Sequence, residues 1–211
     1  FFDCWQNGST LDFQGKFYRH TLMTPMFNPG PNPYGVPPIL LGALGPKMTE
    51  VAGEVADGLI VHPFNSMPFL ANHALPAVRR GLEKSGRGFD DFTLQVNAII
   101  ITEYLAAEKS VKGLLGFYAS TPAYIPPMDA VGLGDLQPIM NRLSKEGKWD
   151  ELGSYVNDEF VDAFCTRGKP EEIAGKLKAK YGAYADRLAI YAPYAAPDEM
   201  WKKIISELKS S

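Results

Sequence analysis

The chain has 211 residues, 45% of them apolar, and a net charge of -3 from 21 basic and 24 acidic side chains. That is long enough for one substantial core, and a single domain over 1–211 is the expectation. No apolar run approaches the roughly 20 residues of a membrane helix, and the absence of a basic block argues against a nucleic-acid partner. Cys4 and Cys165 stand far apart in no metal-like spacing, which excludes a disulfide framework and favours a reducing, cytoplasmic setting.

Phe1, Phe2, Cys4 and Trp5 are apolar, carry no positively charged leader, and are followed by Asn7-Gly8, a helix C-cap pair. The chain is therefore expected to open in the last turn of a helix and to be the C-terminal part of a longer protein. Thr10 to Tyr18 alternates as a short hairpin does, with Leu11, Phe13 and Phe17 apolar and Gln14-Gly15 near the turn. Residues 24–38 are dense in Pro, Asn and Gly and read as a semi-rigid loop.

Ile39-Leu40-Leu41 predicts a buried strand, and Gly42-Ala43-Leu44-Gly45 a turn into a helix opened by Pro46. Met48, Val51, Ala52 and Val55 recur at helical spacing as its inner face, with Lys47, Glu50 and Glu54 wet. Gly58 stops that helix before the strand Leu59-Ile60-Val61. A helix from about Met67 to Ser85 turns Leu70, Ala74, Ala77, Val78 and Leu82 inward, with a kink at Pro76. Phe92 to Thr102 is a third strand and Arg187 to Tyr191 a fourth, preceded by a helix opened by Pro170-Glu171-Glu172. The last helix buries Met200, Trp201, Ile204, Ile205 and Leu208. Strand then helix, four times over, predicts an α/β fold with a parallel sheet, half the count of an eight-stranded barrel. A mainly helical insertion, 106–164, interrupts it between the third and fourth strands, as a functional cap or an oligomer surface does.

In parallel α/β folds ligands bind at the C-terminal ends of the strands. The turn after the first strand pairs glycines, which admit close backbone approach, with a helix N-terminus, whose free N–H groups attract an anion. Pro46 has no N–H, so Leu44, Gly45, Lys47 and Met48 would be the donors, with charge from Lys47. Gly-x-x-Gly serves a tight turn equally well, and it satisfies neither the dinucleotide fingerprint nor the P-loop. After the second strand, His62-Pro63-Phe64-Asn65-Ser66 offers an imidazole to a phosphate, a substrate oxygen or a proton, or simply to the backbone. His62 and His73 lack zinc-pair spacing, and no metal site is expected. Glu103 stands after the third strand, facing substrate or solvent. Phe117 to Tyr124 gathers aromatics and hydroxyls, suited to the wall of an organic-ligand pocket or to a helix–helix core.

Pro38 to Pro46, followed by Ala52-Gly53-Glu54-Val55-Ala56-Asp57-Gly58-Leu59, resembles the luciferase-like monooxygenase family, whose "AGE-ADG" phrase beside a Gly-Pro turn it carries. Leu11 to Tyr18 is similar to the family's hairpin before strand five. Phe117-Tyr118-Ala119-Ser120-Thr121-Pro122-Ala123-Tyr124 is similar to a segment of its members that use the deazaflavin coenzyme F420. The resemblance spans essentially the whole chain.

It implies a TIM (β/α)8 barrel, of which this chain carries strands five to eight. It implies reduced F420, or alternatively FMN, bound at the C-terminal face. Ala43, Leu44, Gly45, Lys47 and Met48 would cradle the cofactor phosphate, with His62 and Asn65 nearby, and Glu103, Tyr118 and Tyr124 toward a small-molecule substrate. Strands one to four would hold most ring contacts and the proton-handling residues, so the catalytic residues are expected outside this sequence. The expected activity is hydride transfer between deazaflavin and a small organic substrate. FMN-dependent monooxygenation is the near alternative, and an inactive half-barrel binding or oligomerisation module the alternative of another class. Exposed strand edges lead us to expect either a homo-oligomer or pairing with an N-terminal half.

Overall fold

A computed structural model describes residues 1–102 and 105–210; the side chains of residues 105 and 106 are outside the description. The chain divides into two compact units, Phe1–Ile39 and Leu40–Ser211.

In the first unit, α1 (Phe2–Asn7) ends on Gly8, whose left-handed φ of 67° lets its N–H reach the Cys4 carbonyl. The hairpin forms later than its alternation predicts: β1 (Phe13–Gln14) and β2 (Arg19–His20) pair antiparallel, Phe13 opposite His20. Leu11 is buried, but Phe13 and Phe17 are exposed, so the apolar alternation does not mark an inward face. The proline-rich loop is tied at Asn32, whose N–H donates to Gln6 Oε1 (2.5 Å) while Gln6 Nε2 donates to the Asn32 carbonyl (3.1 Å).

The second unit is built on a parallel sheet. Its strands are β3 (Leu40–Ala43), β4 (Gly58–Val61), β5 (Thr93–Ile101), β6 (Cys165–Arg167) and β7 (Arg187–Tyr191). β3 pairs with β4, β4 with the first half of β5, and β7 with the middle of β5; every pairing is parallel. β6 pairs with Ile99–Ile101 at the end of β5. The sequence gives no sign of this strand, because three residues are too few to show a period. β3 is also not the strand buried on both faces that its apolar run suggests: Ile39 is exposed and Leu40 and Leu41 half-buried, as suits an edge.

Strand alternation separates two cores. Leu94, Val96, Ala98 and Ile100 face one side with Leu59 and Val61. There they meet α2 (Pro46–Val55), α3 (Met67–Phe69), α4 (Leu75–Lys84), and the helices α10 (Pro170–Tyr181) and α11 (Asp198–Lys209). Ile99 and Ile101 face the other side, covered by the insertion: α5 (Leu105–Ala119), α6 (Ile125–Asp129), α7 (Leu136–Lys145), α8 (Trp149–Leu152) and α9 (Asp158–Phe164). Gln95 and Asn97 lie on that same face below them, half-exposed and hydrogen-bonded at 3.3 Å.

Between α3 and α4 one turn, Leu70–Ala74, is a π-helix. The kink expected at Pro76 takes this form. A proline ring obstructs the preceding turn, and a widened turn relieves that clash without ending the helix. Leu70, Ala74, Ala77, Val78 and Leu82 all lie inside, as their spacing predicts.

Of the four residues expected on the inner face of α2, only Ala52 lies there. Thr49, Ala52 and Gly53 are buried, while Met48, Val51 and Val55 are exposed. Backbone proximity is the reason. A methyl on Gly53 would stand 2.3 Å from the Val78 carbonyl oxygen, and one on Gly81 2.0 Å from that of Glu50. The helices touch through their glycines, and only small side chains fit that seam. Arg87 completes the joint by donating to the carbonyls of Ala56 (2.9 Å) and Gly53 (2.6 Å) at the end of α2. On α11, Met200 and Ile204 are buried and Ile205 is exposed, so the inner stripe is narrower than its spacing predicts.

Candidate functional site

β3 runs through Ala43, two residues beyond its predicted end, and the turn to α2 shrinks to Leu44-Gly45. Gly45 is the N-cap, with φ -67° and ψ 147°, and Pro46 is the first helical residue. The Thr49 N–H and hydroxyl both donate to the Gly45 carbonyl at 3.0 Å, which turns that carbonyl into the helix. Helix geometry leaves the N–H groups of Gly45, Lys47 and Met48 without an intrahelical acceptor, and no acidic side chain lies in the first turn to neutralise the dipole.

The glycines of this turn lack an internal cause. Neither Gly42 nor Gly45 has a positive φ, and a methyl on either would meet nothing within 4 Å. Gly53 and Gly81, by contrast, are required by their neighbours. A bare backbone at a helix N-terminus, required by neither φ nor packing, is a surface that admits close approach by an anion. The residues present therefore fit a cofactor phosphate.

Ala43 sits opposite Val61 in the ladder, so Leu44 and His62 leave adjacent strands at the same level. The His62 ring is held on both nitrogens. Its Nδ1 accepts from the Phe64 N–H at 3.1 Å, and its Nε2 lies 3.1 Å from the Tyr124 hydroxyl. It stacks on Tyr124, centroids 4.7 Å apart, and takes the edge of Tyr118 at 5.0 Å. Beneath, Phe64 is fully buried and stacks on Phe164 at 4.1 Å. The Tyr118 hydroxyl lies 3.5 Å from that of Tyr191, the last residue of β7. Tyr194, further along that loop, accepts from the Thr102 N–H at 3.2 Å.

Burial sets the protonation of this cluster. Desolvation holds the His62 imidazole below its ordinary value. It also raises the phenols of Tyr118, where the Tyr191 hydroxyl adds to the effect, and of Tyr124. At neutral pH the wall is thus an uncharged set of hydroxyls and one neutral imidazole.

The structure brings His62, Tyr118 and Tyr124 together, one strand over from the turn that carries Ala43, Leu44, Gly45, Lys47 and Met48. Asn65 meets that wall only at His62. It is buried, its Oδ1 has no partner, and it lines a small cavity with His62, Leu70, Val96 and Tyr181. Glu103 lies outside the described residues. Tyr191 and Tyr194 were not among the sequence candidates. Tyr191 had a usable signal, a hydroxyl at a strand's C-terminal end; Tyr194 had none.

Cys4 and Cys165 are both buried free thiols, and burial pushes Cys165 up to about 12. Among the described residues no helix is long and apolar enough to cross a membrane, and no group of three or more His, Cys, Asp or Glu could hold a metal ion.

A protein of unassigned function from Mycobacterium tuberculosis is 41% identical over 189 residues, 87% of this chain and 56% of its own length. An F420-dependent glucose-6-phosphate dehydrogenase from Nakamurella multipartita is 37% identical over 191 residues, 88% of this chain and 50% of its own. The structure of the coenzyme F420-dependent tetrahydromethanopterin reductase from Methanopyrus kandleri superposes with a TM-score of 0.72 at 20% identity, over 98% of this chain and 58% of that one, a likeness of fold. The chain thus spans about half the length of these relatives. The sequence pattern of the luciferase-like monooxygenases matches residues 2–187, and the chain belongs to that family.

Proposed function

We propose that this chain supplies the phosphate grip and one wall of the substrate pocket of an F420-dependent oxidoreductase. The observation that carries the reading is the bare backbone of Gly42, near the end of β3, and of Gly45, at the start of α2, which no contact among the described residues requires to be glycine, set one strand from an uncharged aromatic wall. The relative named as an F420-dependent dehydrogenase, 37% identical, supports deazaflavin over FMN. When bound, the cofactor supplies the hydride chemistry.

The chain's own residues bind and orient. Backbone N–H groups of Gly45, Lys47 and Met48 hold the phosphate, and Lys47, exposed, adds a positive charge. His62, Tyr118 and Tyr124 shape the pocket beside it and exclude water from one side of the reacting centre. The proton-handling residues belong to a complementary half, either an N-terminal segment or a second copy. Its docking surfaces are the outer edges of β3 and β7 together with the Met48, Val51, Val55 stripe of α2.

Fluorescence titration of the full-length protein with F420 and with FMN tests the reading. Saturable binding of F420 in preference to FMN is the expected result. Preference for FMN would move the assignment to a flavin monooxygenase, and binding of neither would leave a half-barrel binding module. Size-exclusion chromatography with intact-mass analysis tests the complementary half: a soluble monomer of this chain alone would refute it.

A further inference from the structure

The ring contacts of His62 decide where its proton sits. A backbone N–H can only donate, so Phe64 N–H pointing at Nδ1 at 3.1 Å requires a lone pair there. The neutral imidazole then carries its proton on Nε2, and the 3.1 Å contact to Tyr124 runs from His62 to the phenol oxygen. Tyr124 accepts that bond on one side, which turns its own hydroxyl proton away from the imidazole. The stacked rings, 4.7 Å apart and 27° from parallel, hold the phenol in place; both residues are half-buried, His62 just past the end of β4 and Tyr124 in the insertion between α5 and α6.

We propose that Tyr124 is the specificity-determining donor of this wall, presenting its hydroxyl proton to the acceptor oxygen of a small carbonyl substrate, with His62 as the residue that positions it. This rests on the wall facing the substrate. Protonation of His62 would force a second N–H against that of Phe64, so the donor arrangement belongs to the neutral ring, the form that burial also favours. Tyr118 supports the geometry by packing its edge on His62 at 5.0 Å and its ring against Tyr124 at 5.7 Å.

The test uses the full chain with two probes of one shape, cyclohexanone and the oxygen-free methylenecyclohexane, titrated by NMR chemical shift. Cyclohexanone is expected to bind about tenfold tighter, the worth of one well-made hydrogen bond. Tyr124→Phe keeps the ring and should erase the difference. His62→Gln offers an amide donor where Nε2 stood and should retain it; His62→Asn mimics only Nδ1 and should lose it. The ring nitrogens of wild-type His62 should report a bare Nδ1 and a protonated Nε2 in a nitrogen-15 spectrum. Equal binding of the two probes, a preference that survives Tyr124→Phe, or a protonated Nδ1 would overturn the assignment. F420 titration run in parallel separates the two readings. F420 binding without ketone preference defeats the donor alone, and ketone preference without F420 binding defeats the cofactor reading alone.

Discussion

Replacing Gly81 by alanine should loosen the joint that holds α2, and with it the Leu44-Gly45 turn proposed to grip a phosphate. The added methyl would stand 2.0 Å from the Glu50 carbonyl oxygen, 2.7 Å from the Glu54 nitrogen and 2.9 Å from the Gly53 carbonyl carbon. All three obstacles are backbone, so no rotamer change relieves them, and α2 must move off α4. Restoring ordinary contact distances needs a shift of roughly 1–1.5 Å, and a gap of that order forfeits up to about half the dispersion energy of each contact along the seam. Overpacking of this kind costs about 1–3 kcal/mol, and the all-backbone obstruction puts this site at the upper end. Alanine returns about 1 kcal/mol in helix propensity. The net loss is about 2 kcal/mol, a fall in Tm of roughly 4–8 °C for a domain this size. Urea and thermal melts followed by circular dichroism measure it. Gly113→Ala serves as the control, since a methyl there meets nothing within 4 Å inside α5, and it should stabilise by up to about 1 kcal/mol. A Gly81→Ala protein as stable as wild type would refute the argument that backbone contact selects glycine at this seam.

Gly45→Ala should separate binding from folding: its stability should stay within about 0.5 kcal/mol of wild type, while its affinity for F420 falls. An unchanged F420 titration would show that the bare backbone there serves no ligand. The pH dependence of stability should carry a His62 component. Its folded value lies below the ordinary 6.5, so the unfolded chain binds the proton more readily. The contribution is complete above pH 6.5 and is lost as pH falls through the folded value. Denaturant midpoints between pH 5 and 8 should therefore drop toward acid in wild type and drop less in His62→Gln; parallel curves would contradict the neutral buried imidazole.

Much of the fold was legible because local rules dictate it. Pro46 and Pro170 open their helices where expected, and the Arg187–Tyr191 strand has its predicted bounds, since fixed φ and alternating side chains act within a few residues. The start of α2 after Gly45 was legible for the same reason, but the turn before it was not: Gly42 and Ala43 extend β3 and leave only Leu44-Gly45 between strand and helix. Nor was the inner face of α2. Its apolar spacing pointed to Met48, Val51, Ala52 and Val55, of which only Ala52 is buried, and the seam adds Thr49 and Gly53 because of how near α4 lies. That distance is set by a glycine 28 residues away in sequence.

What the sequence by itself determined is the four longer parallel strands with the helices around them, though not the short β6, together with the parallel α/β class and the strand-end placement of His62, all consequences of periodicity and backbone restriction. Only the tertiary structure decided that His62 meets Tyr124 of the insertion, that Tyr191 joins Tyr118, and that Asn65 is buried with its Oδ1 unpartnered. Those contacts join residues 62 and 73 positions apart. A one-dimensional pattern records which faces are apolar, but not which distant ring will come to rest against which.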